Sequence, residues 1–189
     1  PGPLAIRDSV KKALVGTDIQ IVTEDVTNLG EKDFRTIIQK VKKANPDIVV
    51  LEMFSPEIEI AAKQMNEQGV KIPRTSVETF EWSSEPELFE GEWFVSDSIV
   101  PGFADKYKAA YGTDALSGSS YVYDLVSMLI YLQEKQAAPI KPADLPGIIA
   151  KNGDWNSPVF GTIKIDKDGF FNTAATVKVV KNGKAVLAE

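Results

Sequence analysis

The sequence predicts an α/β protein built on a mostly parallel sheet covered by helices, and three observations carry this prediction. Residues 30–78 alternate helix, strand, helix, strand at short spacing, as parallel βαβ units require. Ile48, Val49, Val50 and Leu51 form an unbroken apolar run, which fits a strand buried on both faces rather than a half-exposed one. The chain just past each strand of this block carries a residue suited to binding, Phe54 after the first and Glu78 after the second. In a parallel sheet that is where a ligand is met.

Residues 4–14 (LAIRDSVKKAL) have the apolar spacing of an amphipathic helix, with Gly16 placed to end it. The β-branched run at 19–23 predicts a strand. Residues 33–43 predict a helix with Phe34, Ile37, Ile38 and Val41 on one stripe; its acidic first turn and basic last turn suit the helix dipole. Asn45, Pro46 and Asp47 stop it before the strand at 48–51. Residues 56–68 form the next helix, with proline near its first turn and Gly69 past its end. Strands follow at 72–77 and 92–100.

From Pro101 the pattern changes. Helices are predicted at 103–111, 119–136 and 142–151, and alternating strands at 160–165 and 175–180. A turn is expected at 166–169 and a tight hairpin turn at 181–184 (KNGK). The helix at 119–136 has few polar residues on any face, so it is expected to be buried against something substantial. The first block opens on a helix, whereas the first strand of a doubly wound sheet is usually central. The chain is therefore expected to be part of a longer protein, or to be completed by another chain.

Composition narrows the function. The 189 residues are 43% hydrophobic and 25% charged, with a net charge of −6. That balance argues against nucleic acid or an anionic membrane as the main partner, since both call for a concentrated basic surface. No apolar run approaches the roughly 20 residues that span a bilayer. The chain has no cysteine and no histidine. Disulfides, thiolate chemistry, Ser-His-Asp arrangements and His-rich zinc sites are excluded, and the expectation of catalysis falls accordingly.

At GEKDF, NPDIVV and the FSPE step, the sequence resembles the type I periplasmic solute-binding proteins of ABC transporters, and among them the branched-chain amino-acid (Leu/Ile/Val) binding family. EGEWFVSDS, FADKYKAAYG, the Tyr123-Asp124 pair and the ending FGTIKIDKDGF…VKVVKNGK support it. Their order and spacing carry the likeness rather than any single motif, and it covers only the C-terminal portion of such a protein. The resemblance implies a parallel, doubly wound three-layer αβα lobe plus part of a second lobe. Residues 1–100 and 173–189 would form the C-terminal lobe, lacking its first strand, and 101–172 would belong to the N-terminal lobe.

The same resemblance implies a small amino-acid-like ligand held by hinge closure, a membrane permease as partner, and a periplasmic or membrane-anchored extracellular location. It implies no cofactor. It assigns Phe54 to packing on the ligand and Glu78, twenty-four positions later, to pairing with its ammonium group. Phe54 stands where the best-known relatives have tyrosine, so a hydroxyl donor is lost.

Each candidate also has a plainer reading. Glu78 reads equally as a solvated loop carboxylate and Phe54 as a residue capping the sheet. Ser55 and Pro56 suit the start of a helix. Phe80 and Trp82 either line a cleft or pack over their own sheet. Ser119 and Ser120 open the long helix, either receiving an anion or capping it. Tyr123 is expected in the core, and Asp124 is expected to hold a neighbouring loop. Glu24, Asp25, Glu52, Glu78 and Asp97 all fall near strand ends, where acids would also suit a Mg²⁺-dependent enzyme. A ligand-sensing regulatory domain of the same fold is the other alternative.

Overall fold

The computed structural model of the chain describes residues 2–166 and 171–188. The turn expected at 166–169 lies outside the described residues from Lys167 onward. In chain order the elements are α1 (Gly2–Ala13), α2 (Arg35–Ala44), β1 (Val49–Val50), α3 (Glu57–Glu67), β2 (Arg74–Thr75), a 3₁₀ turn (Pro86–Phe89) and β3 (Trp93–Asp97). Then come α4 (Pro101–Tyr111), α5 (Ser117–Glu134), a second 3₁₀ turn (Pro142–Asp144), α6 (Leu145–Asn152), β4 (Trp155–Ser157), β5 (Gly161–Ile165), β6 (Phe171–Asn172), β7 (Ala175–Lys181) and β8 (Lys184–Leu187). The chain forms two units, one running to Val95 and resuming at Val177, the other comprising Ser96–Thr176.

In the first unit the expected parallel pairing is present. Val49 lies opposite Arg74 and Val50 opposite Thr75, with Leu51 N–H donating to the Thr75 carbonyl at 2.8 Å. A parallel bridge between Val77 and Val95 extends the pattern. The α2 stripe buries Phe34, Ile38 and Val41, and the helix ends at Asn45, whose left-handed backbone (φ 48°) returns its N–H to the Val41 carbonyl. From α3 come Ile58, Ala61, Ala62 and Met65, which close over Leu51 and the rings of Phe80, Phe89 and Phe94 in one core. The hairpin at 181–184 forms as expected: Asn182 and Gly183 both take positive φ and join β7 to β8 with Lys181 opposite Lys184.

Two expectations fail in this unit. Residues 19–23 form no strand, and Ile19, Ile21 and Val22 are exposed. β propensity specifies a strand only where a neighbouring ladder receives its hydrogen bonds, and no described strand pairs with this segment. β1 is also not buried on both faces. Leu51 faces the core, while Val50 remains 49% exposed and Ile48 is exposed beside it, because no described element covers that side of the strand.

The second unit has its own core of Phe103, Met128, Leu132, Trp155, Val159, Phe160 and Ile163. β4, β5 and β6 form an antiparallel meander; β4 and β6 were not expected from the sequence. Asp124 does hold a neighbouring segment, accepting from the Trp155 indole N–H at 3.0 Å and from the Ser157 hydroxyl. Tyr123, expected in the core, is 53% exposed, with its ring tilted against Phe103. Within this unit α5 is covered on one side only. Met128 and Leu132 face the core, but Val122, Leu125, Val126 and Ile130 are exposed and no described element of this unit covers them. No described helix is long and apolar enough to cross a membrane.

Candidate functional site

Because β1 and β2 run parallel and adjacent, the segments that leave their C-terminal ends emerge side by side. The first delivers Phe54, which is 40% exposed and stacks on Trp82 with ring centroids 5.9 Å apart and planes at 19°. Such offset stacking presents a flat apolar surface at little conformational cost. Trp82 is held in turn by its own loop. The Glu59 carboxylate, buried in the first turn of α3, accepts from the Ser83 hydroxyl at 2.7 Å and the Ser84 amide at 2.8 Å. Burial pushes the Glu59 carboxyl up, but the Ser83 hydroxyl, its own backbone amide, the Ser84 amide and the Ser55 hydroxyl together outweigh it and hold the group below its ordinary value.

The second segment delivers Glu78. Its φ of 64° is the left-handed region that side chains other than glycine rarely take. The conformation is held from both sides: the Glu78 N–H donates to the Val95 carbonyl at 2.7 Å, and the Glu78 carbonyl accepts from the Glu81 amide at 2.9 Å. The next residue ties the turn to the first strand, since the Thr79 hydroxyl donates to the Leu51 carbonyl at 3.1 Å. Glu78 is half-buried.

A third acid joins these two positions. Glu52, at the end of β1, accepts the Val77 N–H through Oε2 at 3.0 Å. Its other oxygen is buried and has no hydrogen-bond partner among the described residues. Burial is the largest effect on the Glu52 carboxyl and pushes it up to about 7; the Val77 amide opposes the rise, and the neighbouring Glu78 carboxylate adds a smaller push upward. A raised folded-state value means stability that is complete below the unfolded value and is lost as pH rises through 7. Glu52→Gln should therefore leave urea stability unchanged near pH 4.5 and raise it by about 2 kcal/mol at pH 8, a figure discounted for partial exposure. An equal effect at both pH values would contradict the assignment.

The other candidates fall elsewhere. Phe80 is fully buried, stacked on Phe89 at 4.1 Å and edge-on to Phe94 at 5.9 Å, so the sheet-packing reading is the one observed and no ring surface is left for a ligand. The Ser55 hydroxyl lies 3.3 Å from that of Ser84 and makes no cap, since α3 is preceded by Pro56 without a side-chain capping bond. In the second unit the Ser119 hydroxyl donates to the Leu116 carbonyl at 2.9 Å, as does that of Ser120, and neither caps α5. Glu52 entered the sequence reading only among scattered strand-end acids. Its role depends on the Val77 amide, a partner twenty-five residues away that no local pattern announces.

No three acids among the described residues are gathered closely enough to hold a metal ion. An open cavity of about 370 Å³, lined by residues that include Lys42, Pro46, Gly69, Lys71 and Pro73, sits at the opposite, N-terminal ends of β1 and β2. It does not touch Phe54 or Glu78.

The fold is shared with solved structures of known type. A leucine-binding protein, LivK, from Thermotoga maritima superimposes with a TM-score of 0.80 at 21% identity, covering 98% of this chain and 56% of that one. A solute-binding protein from R. palustris in complex with 4-hydroxybenzoate gives 0.76 at 19% identity, covering 98% and 55%. The branched-chain amino-acid transporter protein LivJ from Streptococcus pneumoniae, in complex with isoleucine, gives 0.73 at 20%, covering 95% and 54%. The chain thus spans little more than half the length of these structures. No curated protein sequence matches it. The sequence profile of the periplasmic binding proteins matches residues 1–185, and the chain belongs to that family.

Proposed function

We propose that this chain supplies part of the extracytoplasmic solute-binding component of an ABC transporter, taking a small amino-acid-like solute and presenting it to a membrane permease. The observation that carries the reading is the pairing of an exposed aromatic surface, Phe54 on Trp82, with a carboxylate, Glu78, on adjacent strand ends. An apolar side chain would lie on the ring, and an ammonium group would meet the carboxylate. Capture would work by hinge closure, in which the ligand shifts the open–closed population through its extra affinity for the closed state. No covalent chemistry is involved.

The solved relatives bind two kinds of solute, amino acids such as isoleucine and aromatic acids such as 4-hydroxybenzoate. Two neighbouring carboxyl groups favour the first kind, because an aromatic acid brings a negative charge and no cation to offset it. Isothermal titration of the intact protein with L-leucine, L-isoleucine and 4-hydroxybenzoate separates the two. An amino acid should bind, and Glu78→Gln should weaken it at least tenfold, about 1.4 kcal/mol. Undiminished affinity in that variant, or binding of the aromatic acid alone, would refute the assignment.

A further inference from the structure

The end of β1 is joined to the turn that displays Glu78 by two side-chain links of opposite polarity. From the turn after β2, the Thr79 hydroxyl donates to the Leu51 carbonyl at 3.1 Å. From the segment just past β1, Glu52 accepts the Val77 N–H at 3.0 Å. Val77 immediately precedes Glu78, and its peptide sets the direction in which the left-handed Glu78 backbone leaves the strand. The Glu78 turn is also held by backbone bonds to Val95 and Glu81 and by the Phe80 N–H, which donates to the Ser76 hydroxyl at 3.2 Å.

We propose that Glu52 is a positioning residue for Glu78 and makes capture of a cationic solute depend on proton release. The proposal rests on Glu78 being the ammonium contact. Glu52 takes no part in any described ion pair. The charged group facing it, from the end of β2, is Glu78, and the Glu52 carboxyl is raised to about 7 by burial and by that neighbour. A cation arriving at Glu78 screens the repulsion between the two carboxylates and favours ionised Glu52, so a proton leaves as the ligand enters. Affinity for a cation then rises with pH through the neutral range. Glutamine at position 52 retains the acceptor for the Val77 amide but not the titration; alanine retains neither.

Two ligand-free measurements on the intact protein test the proposal. In carboxyl carbon-13 NMR the Glu52 resonance should titrate near pH 7, and its midpoint should fall in Glu78→Gln. Hydrogen exchange at the Val77 amide should accelerate at least about tenfold in Glu52→Ala and stay near the wild-type rate in Glu52→Gln. Calorimetry then adds the functional readout. Wild-type affinity for L-leucine should tighten about three- to tenfold between pH 6 and pH 8, the Glu52→Gln profile should be flat, and Glu52→Ala should bind weakly at both.

A Glu52 carboxyl that titrates below pH 5, or a Val77 amide indifferent to Glu52→Ala, overturns the proposal. So does a pH profile unchanged by Glu52→Gln. If amino acids fail to bind at every pH, the Glu78 assignment falls, and the NMR and exchange results still decide the role of Glu52.

Discussion

Arg74→Ala should destabilise the first unit by about 3–5 kcal/mol in urea denaturation of the intact protein. The guanidinium of Arg74 is buried in β2 and has four partners. Its Nε pairs with Glu92 at 2.7 Å, and its two terminal nitrogens donate to the Leu88 carbonyl at 2.9 Å and the Ala62 carbonyl at 3.4 Å. It also lies 5.5 Å from the centre of the Phe89 ring. Those contacts pin the 3₁₀ turn and the start of β3 against α3, so one side chain organises three elements around the core. Its removal leaves the Glu92 carboxylate buried without a cation and takes a donor from the Leu88 and Ala62 carbonyls.

The cost should depend on pH in a definite direction. Burial already raises the Glu92 carboxyl above its ordinary value, with Arg74 opposing the rise. Without Arg74 the value rises further, so the deficit should be small in acid, where Glu92 is neutral, and should grow as pH increases. Arg74→Met combined with Glu92→Leu should recover much of the loss, because replacing both ions leaves no charge to bury. A deficit below 1 kcal/mol at neutral pH would show that the pair contributes little.

The second large effect separates two phenylalanines that the sequence alone could not distinguish. Phe80→Ala should cost about 3–5 kcal/mol, since it empties a fully buried site between Phe89 and Phe94. Phe54→Ala should cost less than about 1 kcal/mol, because the ring is 40% exposed and rests mainly on Trp82. Its effect should fall on binding instead, with affinity for L-leucine down several-fold. Equal losses of stability in the two variants would mean that Phe54 belongs to the core, as its plainer reading had it.

Much of the fold was legible because it is local. The 3.6-residue spacing of Phe34, Ile38 and Val41 marks the buried face of α2. Asn182 and Gly183 suit the positive φ that a two-residue hairpin turn demands. The positions of Phe54 and Glu78 just past two strands followed from the same local pattern, and the parallel register of β1 and β2 brings the segments that carry them out together.

The rest depends on partners distant in the chain. The run at 19–23 has the β-branched residues a strand needs, yet it forms no strand and leaves Ile19, Ile21 and Val22 exposed, because a ladder requires a second strand. Val50 and Leu51 are both apolar and adjacent, but they face opposite sides of β1, and only the side that α3 covers is core. Glu52 and Phe80 likewise took their roles from Val77, Phe89 and Phe94. By itself, the sequence determined where helices and turns form and which side chains follow the strands, since periodicity and backbone preference act within a few residues. The tertiary structure decided which strands pair, which aromatic ring stays exposed, and which acid accepts the Val77 amide beside Glu78, since burial and hydrogen bonding are settled between residues far apart in the chain.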